Sequence, residues 1–403
     1  MHRVLVTLAL LASSTFLVSA WAQPNHPPNP PPAPFFENVT IWAPPASWSR
    51  HSGSYGRSVL LNKHGEQGIP TILATAAYSP PDGSYFQIFQ STDYGQSWTM
   101  ISKAHFDGNS SLSGGRILQP FLYELSEAYG KYSAGTVMLA GNRIPGDSSS
   151  TNIQLYASMN KGFTWEYVST VVSSGPPNTN NGAPCVWEPF ILSHASQLAV
   201  YFSDQSDPRY GQKLSHRLST SASNLKTWSA TLDDVTNVNS TLRPGMITVA
   251  QIGNGQWMCS YEMGLWPDAT APYATHYRIA DSPFDFLSAP EFELRTDTDG
   301  VSSAGPYTVW TPAGGPNGTI VVSDSSYDQL FLNTQNGDPR MWRNVTSGHG
   351  VGYTRALTVL PGNGGKLVQV LNGGMFAGTF TEITVGDFVV PGPEVGSGGI
   401  SAL

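Results

Sequence analysis

Ser91-Thr92-Asp93-Tyr94-Gly95-Gln96-Ser97-Trp98 and Ser158-Met159-Asn160-Lys161-Gly162-Phe163-Thr164-Trp165 are two copies of one pattern, Ser-x-Asp/Asn-x-Gly-x-Ser/Thr-Trp, set 67 residues apart. In this Asp-box the short polar side chains can bond their own loop amides, and the glycine can take a positive φ in a tight strand-to-strand turn. The tryptophan can fill the space beneath. A repeat of this length points to a radial β architecture. With the aromatic that closes each third strand as the marker, Trp98, Trp165 and Trp228 are followed by weaker markers at Phe286, Trp342 and Phe388. Six markers imply six four-stranded units, an all-β, six-bladed β-propeller. Segment 38–42 has no blade of its own and is expected to join the last blade and close the ring. The boxes recur in different blades, so they read as scaffold, and function must be sought elsewhere.

Composition agrees with many short strands joined by turns: 403 residues, 40% hydrophobic, only 12% charged, with 41 Gly and 31 Pro. A net charge of −8 and a pI near 5.5 argue against nucleic-acid and anionic-membrane partners and suit a neutral or cationic ligand. Arg3, the apolar run from Val4 to Val18 and Ala20-Trp21-Ala22 read as a signal peptide over residues 1–22. That run is short of the roughly 20 apolar residues of a membrane span. Secretion to an extracellular setting is therefore expected. A Pro-rich linker over 23–37 precedes the propeller domain, 38–403. Sequons at Asn38, Asn109, Asn239, Asn317 and Asn344 fit a glycosylated secreted protein. Cys185 and Cys259 could pair or could both stay buried and free. Two cysteines and nine histidines without metal-ligand spacing suggest no metal and no other cofactor. A monomer is expected.

The innermost strands can be aligned: Gly56-Arg57 opens blade one, Gly115-Arg116 blade two, Pro184 to Phe190 blade three, Leu242 to Ile247 blade four, Ala304 to Tyr307 blade five and Thr354-Arg355 blade six. Second strands end at Asn142-Arg143, Asp204, Glu262, Asp324 and Asn372. In an antiparallel hairpin these two sets meet at one mouth of the channel. Blade two has Gln119-Pro120-Phe121 where blade three has Glu188-Pro189-Phe190, so the scaffold accepts a neutral residue at the Glu188 position. Glu262 ends an apolar strand in the adjacent blade. Two carboxylates in such company are costly to desolvate unless paired or used. They fit glycoside hydrolysis, in which one carboxyl protonates the leaving oxygen while the other attacks or activates water. They fit equally a pair of carboxylates salt-bridged to neighbouring arginines. Arg57, Arg116, Arg243 and Arg355 recur near inner-strand starts, with Arg143 at a second-strand end, and could bind sugar or bridge repeats. Trp266, Tyr273, Tyr307, Trp310, Tyr327 and Tyr353 lie in segments expected near the same mouth. The substrate-binding candidates are Arg57, Gln119, Arg143, Asp204, Tyr327 and Tyr353.

The Asp-boxes, six blades, Val186-Trp187-Glu188-Pro189-Phe190 and Ser260-Tyr261-Glu262-Met263-Gly264 together resemble the fungal exo-α-1,5-L-arabinanases of glycoside hydrolase family 93, built on a sialidase-like propeller. The resemblance runs from about Asn38 to Val390. It implies a retaining enzyme that releases arabinobiose from the non-reducing end of linear arabinan, with Glu188 as general acid/base and Glu262 as nucleophile. Sialidases share the propeller and the boxes. However, the Asn142-Arg143-Ile144-Pro145 stretch, which looks like their Arg-Ile-Pro element, falls after the first box instead of before it. A non-catalytic carbohydrate-binding propeller is the alternative from another class.

Overall fold

A computed structural model describes residues 35–47, 53–66, 69–78, 85–105, 114–268, 273–298, 300–374 and 382–392. The expected signal peptide, most of the expected linker and the Asn109 sequon lie outside them. The described residues form six four-stranded antiparallel sheets over 53–105, 116–174, 186–235, 242–293, 307–346 and 356–389, arranged as a six-bladed propeller. The strand Val39–Trp42 pairs with Ile383–Val389 and supplies the outermost strand of blade six. The ring thus closes as the leftover segment suggested.

Position in the blade explains the sequence of each strand. Second strands lie between neighbouring blades on both faces, so Val137–Ile144 is buried at every residue. Outermost strands face water on one side, and Thr99–His105 is correspondingly exposed along most of its length. One apolar core runs through blades two to four, joining Phe121, Phe190, Tyr201, Tyr261 and Phe286. The marker aromatics lie between third and fourth strands, except Phe388, which sits on the third strand itself.

Both octets form loops at the end of the propeller opposite the mouth. Ser91 Oγ accepts from Gly95 N (2.8 Å), and Asp93 Oδ1 accepts from Ser97 N (3.0 Å). Trp98 Nε1 donates to Gly95 O (2.9 Å). Ser158, Asn160, Thr164 and Trp165 repeat these bonds in blade two. Gly95 and Gly162 take φ of 92° and 90°, a region open to glycine without steric cost. Blade five carries a worn third copy that the sequence pattern concealed. There Asn333 Oδ1 accepts from Gly337 N (3.0 Å), as Ser91 Oγ does from Gly95.

Near the start of each of the six inner strands lies a non-glycine residue in the left-handed region: Tyr55, Gln119, Glu188, Met246, Ala304 and Thr354, with φ between 55° and 64°. In blades one to four the strand pairing shifts register around this residue, the mark of a β-bulge. The bulges set the true alignment of the repeat. Gly56-Arg57 does not correspond to Gly115-Arg116; Tyr55 corresponds to Gln119 and Glu188. Of the recurring arginines, only Arg116 and Arg243 occupy the same place, three residues before the bulge.

Candidate active site

The bulge carries Glu188 to the mouth and fixes it there. A left-handed residue of this kind costs about 1–3 kcal/mol and persists only where its surroundings hold it. Glu188 N donates to Gln119 Oε1 (3.1 Å), Gln119 Nε2 to Tyr55 Oη (3.3 Å), and Tyr55 Oη to Glu188 Oε1 (3.2 Å). The three bulge residues of blades one to three are thereby closed into a hydrogen-bonded circuit, which Asn142 Nδ2 joins through Gln119 Oε1 (3.3 Å). Glu188 Oε2 accepts from Ser203 Oγ (2.6 Å) and from the amide of Met246 (2.9 Å), the bulge residue of blade four. Three donors thus hold the carboxyl in place.

Glu262 lies opposite Gly245 in the second strand of blade four. A side-chain carbon on Gly245 would sit 3.4 Å from Glu262 Oε1 and 3.5 Å from Glu188 Oε2, so these two oxygens are no more than about 7 Å apart. Glycine keeps the space between the carboxyls open. Glu262 Oε2 accepts one bond, from Gly305 N (2.8 Å). Recession from water, and then the neighbouring Glu188, push the Glu262 carboxyl well above the usual carboxylate range, against the pull of the Gly305 amide and Arg243.

Both carboxyls open into a cavity of about 620 Å³, whose lining also includes Tyr55, Arg116, Gln119, Trp187, Arg243, Trp266, Tyr273 and Tyr353. Gln119 and Tyr353 thus reach the site, and so do the aromatics Trp266 and Tyr273. Arg57 does not line this cavity. It borders a space of about 10 Å³, shared with Glu188 and big enough for one water, and donates to Thr354 Oγ1 (2.8 Å). Arg143 is buried against backbone, donating to the carbonyls of Gly114 and Ile144. Arg355 is buried with Asp324 of the preceding blade, the repeat-to-repeat pairing considered above. Tyr327 is exposed and outside the cavity lining. Trp310 lies toward the far end of its strand, where Nε1 donates to Asn317 O (3.0 Å).

Asp204 is corrected by register. The residues opposite the last position before each bulge are Ala77, Asn142, Ser203 and Glu262, so Asp204 is one residue too far along. Successive strand residues face opposite sides. Ser203 accordingly bonds Glu188, while Asp204 accepts from the Ser206 amide (2.8 Å) and lies 3.9 Å from Lys213. Tyr55, Ser203, Gln212 and the wall segment 177–179 were not found from sequence. None of them carries a pattern in the sequence, because their part depends on which strand lies beside which. Cys185 and Cys259 are both free and buried. Among the described residues no group of three His, Cys, Asp or Glu could hold a metal ion.

A scan against protein-family models found no match, and a search of curated proteins found none. Solved structures do match. An α-L-arabinanase of Penicillium chrysogenum, complexed with arabinobiose, is 38% identical at a TM-score of 0.81, covering 88% of this chain and 98% of that one. The GH93 α-L-arabinofuranosidase of Fusarium graminearum, also with arabinobiose, is 35% identical at a TM-score of 0.80 with the same coverage. A microbial sialidase, Hz136, at 13% identity and a TM-score of 0.54, shares the fold alone.

Proposed function

This chain belongs to glycoside hydrolase family 93, and on that premise we propose that it is a secreted, retaining exo-α-1,5-L-arabinanase releasing arabinobiose from the non-reducing end of linear arabinan. The observation that carries the reading is the pair Glu188 and Glu262, on adjacent blades, in one cavity and within about 7 Å. Retention needs carboxyls about 5–5.5 Å apart, and oxygens of the pair within about 7 Å are compatible with it. A cavity of about 620 Å³ is of the size that encloses a small ligand such as a disaccharide.

In the proposed reaction Glu262 attacks the anomeric carbon as Glu188 gives its proton to the departing glycosidic oxygen. Water then cleaves the glycosyl-enzyme, with Glu188 taking the proton back. Incubation with linear arabinan tests the reading. Arabinobiose should be the first product, and NMR should show it first in the anomeric configuration of the substrate. A ladder of longer oligosaccharides would replace exo by endo action, and an inverted first anomer would remove Glu262 as nucleophile.

A further inference from the structure

Gln205 begins the loop between the second and third strands of blade three. It is 1% exposed and does not line the cavity, yet its side chain joins three parts of the cavity wall. Its amide oxygen accepts from Trp187 Nε1 (2.8 Å), from an Arg243 guanidinium nitrogen (3.1 Å) and from the Cys185 thiol (3.3 Å). Its amide nitrogen donates toward the carbonyls of Asn180 (2.8 Å), Ala183 (3.3 Å) and Asn178 (3.4 Å). Arg243 also donates to Thr179 O (2.8 Å) and Asn181 Oδ1 (3.0 Å), so the same segment is held from two sides. The partners fix the orientation of the amide, since only its oxygen can accept from N–H groups and only its nitrogen can meet carbonyls. No other side chain of this length offers both ends. Glutamate lacks the donor, and methionine lacks both.

We propose that Gln205 is a positioning residue for substrate binding, holding the indole next to Glu188, the guanidinium of Arg243 and segment 178–183 as one preset wall. The inference rests on the reading that this cavity binds arabinan. Long side chains and loops that are ordered before binding need not be ordered by the ligand, and the gain appears as affinity. An effect felt equally by bound substrate and transition state moves KM and leaves kcat.

The test uses the full chain and linear arabinan. Gln205→Met keeps the volume and removes every bond, and should raise KM roughly tenfold with kcat within about twofold, as expected for lost uniform binding. Gln205→Glu keeps the acceptor end for Trp187 and Arg243 and should give a smaller rise. If Gln205 acts through Arg243, then Gln205→Met combined with Arg243→Met should be no worse than Arg243→Met alone. A lower melting temperature with unchanged KM in both Gln205 variants would make Gln205 a merely structural residue and overturn the proposal. Fully additive KM effects would overturn the route through Arg243. Glu188→Gln and Glu262→Gln serve as controls. If they stay active, the reading of the cavity has failed, independently of what Gln205 does.

Discussion

At the scale of single residues, the two carboxyls differ in their surroundings more than in their position. Glu188 is held by three donors, whereas Glu262 has one donor and a raised pKa. Glu262→Ala is expected to cost several orders of magnitude in kcat on every substrate, because the covalent step disappears. Glu188→Ala should hurt arabinan most and spare aryl arabinosides with good leaving groups, which need no proton. If leaving-group sensitivity followed Glu262 instead, the two roles would be exchanged. A pH profile adds an independent check. The reaction needs one proton on the pair, and burial with a like-charged neighbour holds that proton beyond the ordinary carboxylate range. The alkaline limb of kcat/KM should therefore lie well above about 4.3, the value of a free glutamate. A limb at that ordinary value would show that the pair is neither recessed nor coupled. Sequence made the pair legible because each Glu interrupts an apolar run at a repeat position. Its support was not legible, since Tyr55, Ser203 and Gln205 are common residues whose part depends on which strand lies beside which.

At the scale of elements, the repeat length and the leftover N-terminal strand were enough to count blades, but not to align them. The bulge is why. It inserts a residue that leaves no mark in composition, so aligning Gly56-Arg57 with Gly115-Arg116 moved blade one by five positions. An error of one residue, as at Asp204, exchanges the two faces of a strand and sends the wrong side chain to the site. The Asp-box loops are easier because their chemistry is local. Asp93 bonds Ser97 twice and Ser91 once, all within its own turn, far from the mouth. Asp93→Ala should lower stability by about 0.5–2 kcal/mol, the scale of a lost side-chain cap, and leave kcat of the folded enzyme unchanged. Melting temperature and kcat measured on one preparation decide this. A large fall in kcat at constant melting temperature would falsify the scaffold reading.

At the scale of the molecule, burial ties part of the propeller's stability to protonated aspartates. Asp324 and Asp387 are buried, and desolvation raises each to about 6. In the unfolded chain an aspartate titrates at about 3.9, so the folded state binds these protons more tightly. The stability they contribute is complete below that unfolded value and is lost as pH rises through about 6. Glu291, lowered to about 2 beside His276, Tyr261 and Arg278, sets the opposite limit, since its contribution fades as acid protonates it. The melting temperature should therefore be higher near pH 4.5 than at pH 7, and a rise between those values would contradict the assignment. Ring closure has a consequence in time. Phe36 bonds Asp387 across 351 residues, next to the strand that completes blade six. At a synthesis rate of about 5–20 residues per second, that strand waits roughly 20 to 70 seconds for its partner while the other five blades can already form. Until Ile383–Val389 is made, Val39-Thr40-Ile41-Trp42 has no strand to pair with. Its shortness is what makes the delay tolerable: four residues fall below the six or seven from which cross-β stacks are built.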